Sequence, residues 1–153
     1  MEQIFYFEDL APGLRFRSRE ITVSAEEIKG FAAAFDPQPF HLSEREAEQS
    51  FFRGLCASGW HTTALTMRLL VESMKLAGGV IGAGMDELRW PAPVRPGDTL
   101  WVESEVTELR PSSSRPTIGL VKFLILTKKQ TGETVLLLRS NNFVLRRQLG
   151  ADS

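Results

Sequence analysis

The chain has 153 residues, 42% hydrophobic and 24% charged, with a formal net charge of −1. These figures fit one domain, residues 1–153, with its own core, and near-neutral charge excludes the broad basic surface of a nucleic-acid-binding protein. One cysteine, Cys56, excludes an internal disulfide and argues against a thiolate zinc site.

Met1-Glu2 opens without a basic stretch and apolar run, so no leader is expected. The apolar stretches 31–35 and 123–126 are too short to span a bilayer, so no membrane contact is expected and the cytoplasm is the expected compartment.

Residues 14–23 read as a first strand, at a sheet edge. Ser24 with Glu27 three residues on has capping-box spacing, and Ile28, Phe31, Ala32 and Phe35 follow as one helical apolar stripe. Asp36-Pro37 ends that helix, because a residue before proline is pushed out of helical geometry. Residues 36–42 carry two prolines and read as extended or turned, and a short helix starts at Ser43. A third helix spans Ser58 to Leu76, with Ala64, Leu65, Leu69 and Met74 on one stripe and Trp60, Met67, Leu70 and Val71 around it. So wide an apolar surface predicts a helix enclosed on several sides, with Trp60, Met67 and Met74 in the core.

Residues 78–84 are glycine-rich but follow a helix, which fits a flexible connection better than a phosphate loop. Residues 85–90, 98–109, 117–129 and 133–147 read as an antiparallel meander, with turns at Pro96-Gly97-Asp98 and Thr131-Gly132. Pro111 to Ser114 is a loop between strands, and Arg146-Arg147 reads as a solvated strand end. The class is α+β, a sheet wrapping a buried central helix.

Asp36 and His41 stand five residues apart across Pro37 and Pro39. Such a rigid pair can hold a water and move two protons, the requirement for hydrating a polarised double bond. Alternatively Asp36 opens a turn and His41 merely precedes the next helix. Ser58-Gly59 begins the central helix, whose first amides lack intrahelical acceptors and carry partial positive charge. Gly59 would admit a thioester carbonyl close to the backbone. Ser58 reads equally as an N-cap or a substrate contact, Cys56 as buried and inert, and His61 as a packing residue.

Asp36-Pro37-Gln38-Pro39-Phe40-His41 resembles the D-x-N-P-x-H signature of the MaoC-like dehydratases, also called the (R)-specific enoyl-CoA hydratases. Gly54-Leu55-Cys56-Ala57-Ser58-Gly59-Trp60 is similar to that family's G-x-x-A-H-G-M segment, and the run from Leu88 to Thr99 resembles its R-F-x-x-P-V-x-x-G-D-T segment. The likeness spans roughly residues 10–147. It implies a hot-dog fold paired as a homodimer or a dimer-based oligomer. It implies Asp36 and His41 as catalytic acid and base, the Gly59 amide as oxyanion donor, and Ser58 and Trp60 at the substrate. It implies an acyl thioester of coenzyme A or acyl carrier protein as substrate, and no metal or redox cofactor. Gln38, Ser58 and Trp60 depart from the pattern. Gln38 in place of asparagine predicts a longer or absent orienting hydrogen bond, and Trp60 a reshaped acyl pocket. A hot-dog thioesterase and a non-catalytic acyl-binding subunit are the alternatives.

Overall fold

The computed structural model describes residues 2–148; Met1 and residues 149–153, the two ends of the one-domain reading, lie outside the described residues. In chain order the elements are β1 (Arg15–Arg17), β2 (Ile21–Thr22), α1 (Ala25–Phe35), α2 (Pro39–Leu42), α3 (Glu44–Glu48), α4 (Gly59–Ser73), β3 (Ile81–Arg89), β4 (Thr99–Pro111), β5 (Ile118–Lys129) and β6 (Thr134–Leu145). A 3-10 turn at Phe7–Asp9 precedes them.

β4, β5 and β6 form a meander whose inner face is set by alternation along each strand. In β4, Leu100, Val102, Ser104 and Val106 are buried, while Trp101, Glu103 and Glu105 are partly exposed. Register puts Val106 opposite Phe123, and Ile125 opposite Leu138. α4 lies on this face and adds Leu69, Leu70 and Met74 to the same cluster. Each such aliphatic side chain taken fully out of water contributes about 1.5–3 kcal/mol. This is the hot-dog architecture, a six-stranded antiparallel sheet curled around one helix.

Four sequence expectations are corrected. The first strand is two short pieces, β1 and β2, both paired with β4; between them Ser18 Oγ takes the Val102 amide at 2.8 Å. Residues 39–42 are helical, since Pro39 at the first helical position surrenders no hydrogen bond that the helix needs. β3 does not pair with β4 next to it in sequence but crosses to β6, giving the order β1-β4-β5-β6-β3. It also begins at Ile81, so Gly82 and Gly84 lie within the strand at register shifts and are not a flexible link. Gly78 and Gly79, both with positive φ, make the turn before it.

α4 is not enclosed all round. Its buried face is Thr62, Thr66, Leu69 and Leu70, while Trp60, Ala64, Met67 and Val71 form an exposed stripe. The two threonines are tolerated inside because Thr66 bonds Thr127 at 2.6 Å and donates to the Thr62 carbonyl at 2.8 Å. The helix stops at Ser73, not Leu76. The following backbone turns extended and pairs with Phe5, whose amide bonds the Lys75 carbonyl at 2.8 Å. Met74, read as core, is fully buried.

The terminal arginines are not merely a solvated end. Arg146 bonds Glu8 at 2.8 Å, and Arg147 bonds Asp9 through both terminal nitrogens, which ties the end of β6 to the 3-10 turn.

Candidate active site

Three segments meet at the N-terminus of α4. The first is the Asp36–His41 connection. α1 starts where Ser24 accepts from the Glu27 amide and ends with Asp36 as its C-cap. Pro39 then starts α2, which places His41 in its short turn, buried. The second is the loop 50–58, and the third is the proline-rich run 90–98 between β3 and β4. A second apolar cluster, including Ile28, Leu55, Ala57, Val94 and Leu100, packs these segments together.

The structure brings Asp36 and His41 into contact, with His41 Nε2 3.5 Å from Asp36 Oδ2. His41 Nδ1 lies 2.7 Å from the Cys56 carbonyl oxygen. A carbonyl only accepts, so this contact assigns the proton to Nδ1 and leaves a lone pair on Nε2 in the neutral ring. That lone pair and Asp36 Oδ2 are two acceptors facing one place, where a water can donate to both.

Asp36 is held from two sides. The Ser58 hydroxyl donates to Oδ2 at 2.7 Å and the Gln38 side-chain amide to Oδ1 at 2.7 Å. The expectation that Gln38 would leave this bond long or absent is therefore corrected: the longer side chain folds back two residues onto the carboxylate. The Ser58 bond is the main reason the Asp36 carboxyl sits below the ordinary aspartate range; partial burial opposes it, and Gln38 and His41 add to it.

Ser58 is fully buried and also caps α4, accepting from the Trp60 amide at 3.2 Å. Its hydroxyl is committed to the protein on both counts. The Gly59 amide has no protein acceptor among the described residues, as expected for a first-turn donor.

What packs on the Cα of Gly59 is the indole of Trp90. A Cβ there would lie 2.6 Å from Trp90 Cε2, so any side chain would displace the ring. Gly59 is thus required by tertiary packing, whereas the sequence reading gave the reason as close approach of a substrate.

A cleft of about 480 Å³ opens beside this point, lined by His41, Phe52, Cys56, Gly59, Thr62 and Trp90 among others. Asp36, with 18% of its side chain exposed, is not among the lining residues but lies 3.5 Å from His41, which is. Trp60, expected in the core or against substrate, is 55% exposed, meets Trp90 edge-on at 5.3 Å and does not line the cleft. Met67, also expected in the core, is exposed. His61 turns to α1 and stacks on Phe31 at 4.7 Å, away from the Asp–His pair. Burial raises the Cys56 thiol above its ordinary pKa, which keeps it protonated.

Arg95 carries no motif signal and was not anticipated. Its guanidinium donates to the carbonyls of Phe52 at 2.6 Å and Gly54 at 2.8 Å, fixing the loop that delivers the Cys56 carbonyl to His41. Trp90 was missed as well. No local pattern foretells either contact, because their partners lie between 27 and 43 residues away in sequence.

The hot-dog fold thus sets Asp36 and His41 in contact beside the Gly59 amide at the start of its central helix. Residues 9–121 match the family model described as MaoC like domain. The crystal structure of a MaoC-like dehydratase from Rhodospirillum rubrum superposes with a TM-score of 0.91 at 53% identity, covering 95% of this chain and 99% of that one. A 3-hydroxybutyryl-CoA dehydratase from Methylorubrum extorquens is 36% identical over 115 residues, 74% of this chain and 71% of that protein. An uncharacterised Bacillus subtilis protein, YdeM, is 32% identical over 124 residues, 80% of this chain and 86% of that protein. The chain belongs to the MaoC-like dehydratase family and is an enzyme of the hydro-lyase class.

Proposed function

We propose that this enzyme adds water to a 2-enoyl thioester, or removes it from the 3-hydroxyacyl thioester, with the acyl group carried on coenzyme A or an acyl carrier protein. The observation that carries the reading is the Asp36 Oδ2–His41 Nε2 pair, 3.5 Å apart at the N-terminus of α4. Water donating to both acceptors is aimed by them at C3 of the substrate. As its oxygen bonds to C3, an O–H bond of the water breaks and one of the pair takes that proton; the same proton then passes from the pair to C2, so the elements of water are added and nothing else is consumed. The thioester oxygen takes the Gly59 amide, where the developing enolate charge is stabilised. Loss of one such donor typically raises a barrier by about 3–4 kcal/mol.

Thioesterases of this fold generally place their carboxylate on or beside the central helix. The only acid on α4 is Glu72, thirteen residues beyond Gly59. At 1.5 Å per residue that is about 20 Å away. Glu72 is moreover occupied by Arg19 at 2.7 Å. A non-catalytic binding subunit is disfavoured by the alignment of both proton-handling groups.

We place the working form as a homodimer in the cytoplasm. The exposed stripe of Trp60, Met67 and Val71 on α4, with Ile81 and Met85 on the edge strand β3, is an apolar surface suited to a second copy. Among the described residues no helix is long and apolar enough to cross a membrane.

The test is hydration of a panel of short and branched 2-enoyl-CoA substrates, followed by loss of conjugated-thioester absorbance and by free thiol. Hydration that collapses in Asp36→Ala and His41→Ala, with both variants folded, is the expected result. Thiol release without hydration would transfer the protein to the thioesterases. Light scattering that returned a monomer mass would remove the dimer.

A further inference from the structure

We propose that Ser58 is a positioning residue: with Gln38 it clamps the Asp36 carboxylate, so that Oδ2 and the His41 Nε2 lone pair converge on one water. This rests on the hydratase reading above. Ser58 Oγ has one proton, and the geometry commits it to Asp36 Oδ2 at 2.7 Å, because its other contact is an accepted bond from the Trp60 amide. The oxygen it holds is the same one that faces His41. Gln38 holds the second oxygen, so the carboxylate cannot rotate away from the imidazole without breaking one bond or the other.

Ser58 also immediately precedes Gly59. One buried side chain therefore fixes the distance between the proton-handling carboxylate and the amide offered to the thioester oxygen. Both clamp positions depart from the family signature, and they depart together, one for each carboxylate oxygen.

The ionisable groups around Asp36 are few. His41 on α2 faces it directly. Behind His41 stand Cys56, with Sγ 3.8 Å from Nδ1, and Arg95, whose charge acts on Cys56. His61 on α4 turns to Phe31. The acid limb of the pH–rate profile is therefore read against Asp36, whose carboxyl the Ser58 bond lowers.

The test uses Ser58→Gly and Gln38→Leu. Glycine caps a helix nearly as well as serine, so Ser58→Gly removes the donor to Asp36 with little loss of the cap. Gln38 is exposed and its replacement leaves the cap untouched. Two readouts are taken: kcat and KM against pH on an enoyl-CoA substrate, and a carboxyl NMR titration of Asp36 in substrate-free protein.

Ser58→Gly is expected to lower kcat about tenfold, the scale of one charge-assisted hydrogen bond, with little change in KM. The acid limb and the Asp36 titration should both move to higher pH, and Gln38→Leu should move them the same way by less. An Asp36 titration unchanged in folded Ser58→Gly would overturn the proposal. A moved titration in a protein that hydrates no enoyl thioester would uphold the clamp and remove the hydratase reading.

Discussion

The β4–β6 meander and the wall built from residues 36–58 and 90–98 lie against each other but are held by different forces. In the meander, register and alternation carry the load: three long strands share one ladder, and Val106, Phe123, Ile125 and Leu138 pack on α4 without needing any particular polar partner. In the wall there is little regular structure, and single polar side chains do the holding. Arg95 gathers the Phe52 and Gly54 carbonyls, Asp98 takes the Arg95 amide at 2.7 Å and Gln130 at 2.8 Å, and Ser58 with Gln38 holds Asp36. Stability that is spread over many apolar contacts tolerates exchange of similar side chains. A wall fixed by a few hydrogen bonds keeps its polar groups in place but depends on the identity of each residue.

Substitutions in the two regions sharpen this contrast. The largest stability loss belongs to the meander's helix: Leu69→Ala should cost about 2–5 kcal/mol in a denaturant titration, because a fully buried side chain leaves a cavity. Arg95→Met comes next, with about 1–3 kcal/mol for carbonyls left without their donor. Unlike Leu69→Ala, it should also lower kcat in the residual folded enzyme. An Arg95→Met enzyme with full turnover would break the proposed division of labour.

Gly59→Ala should cost about 1–3 kcal/mol, change the fluorescence of Trp90 and lower kcat/KM, since a Cβ there displaces the indole. A smaller, pH-dependent effect is expected at Asp98. Burial pushes its carboxyl upward, but the Arg95 amide, Gln130 and Lys129 outweigh this and leave it below the ordinary range. Its stabilisation is therefore complete above the unfolded pKa of about 3.9 and lost as pH falls through the lower folded value. Acid titration of stability should flatten in Asp98→Asn, most clearly below about pH 4. Arg147→Ala, which breaks a half-exposed bidentate pair with Asp9, should cost no more than about 1 kcal/mol in the denaturant titration.

Much of the site was legible because its chemistry is local. Asp36, His41, Ser58 and Gly59 fall in two short motifs, and rigid prolines and a helix start are visible in residue types alone. The N-caps at Ser24 and Ser43 were legible for the same reason, and both hydroxyls accept the expected amides. α2 was not legible, because proline at a first helical position and proline in a turn look alike until the next residues are placed. Thr62 and Thr66 were passed over as core, since a threonine is at home inside only when a partner such as Thr127 arrives from another strand.

By itself the sequence determined the α+β class, the alternation of β4 to β6, the start of α4 and the short segment that carries Asp36 and His41. Each of these follows from periodicity or from neighbours within a few residues. Tertiary structure alone decided that β3 crosses to β6, that one stripe of α4 stays open, that Trp90 covers Gly59 and that Arg95 braces the loop behind His41. Those outcomes depend on atoms far apart in sequence, brought together only by the competition between burial of apolar surface and satisfaction of polar groups.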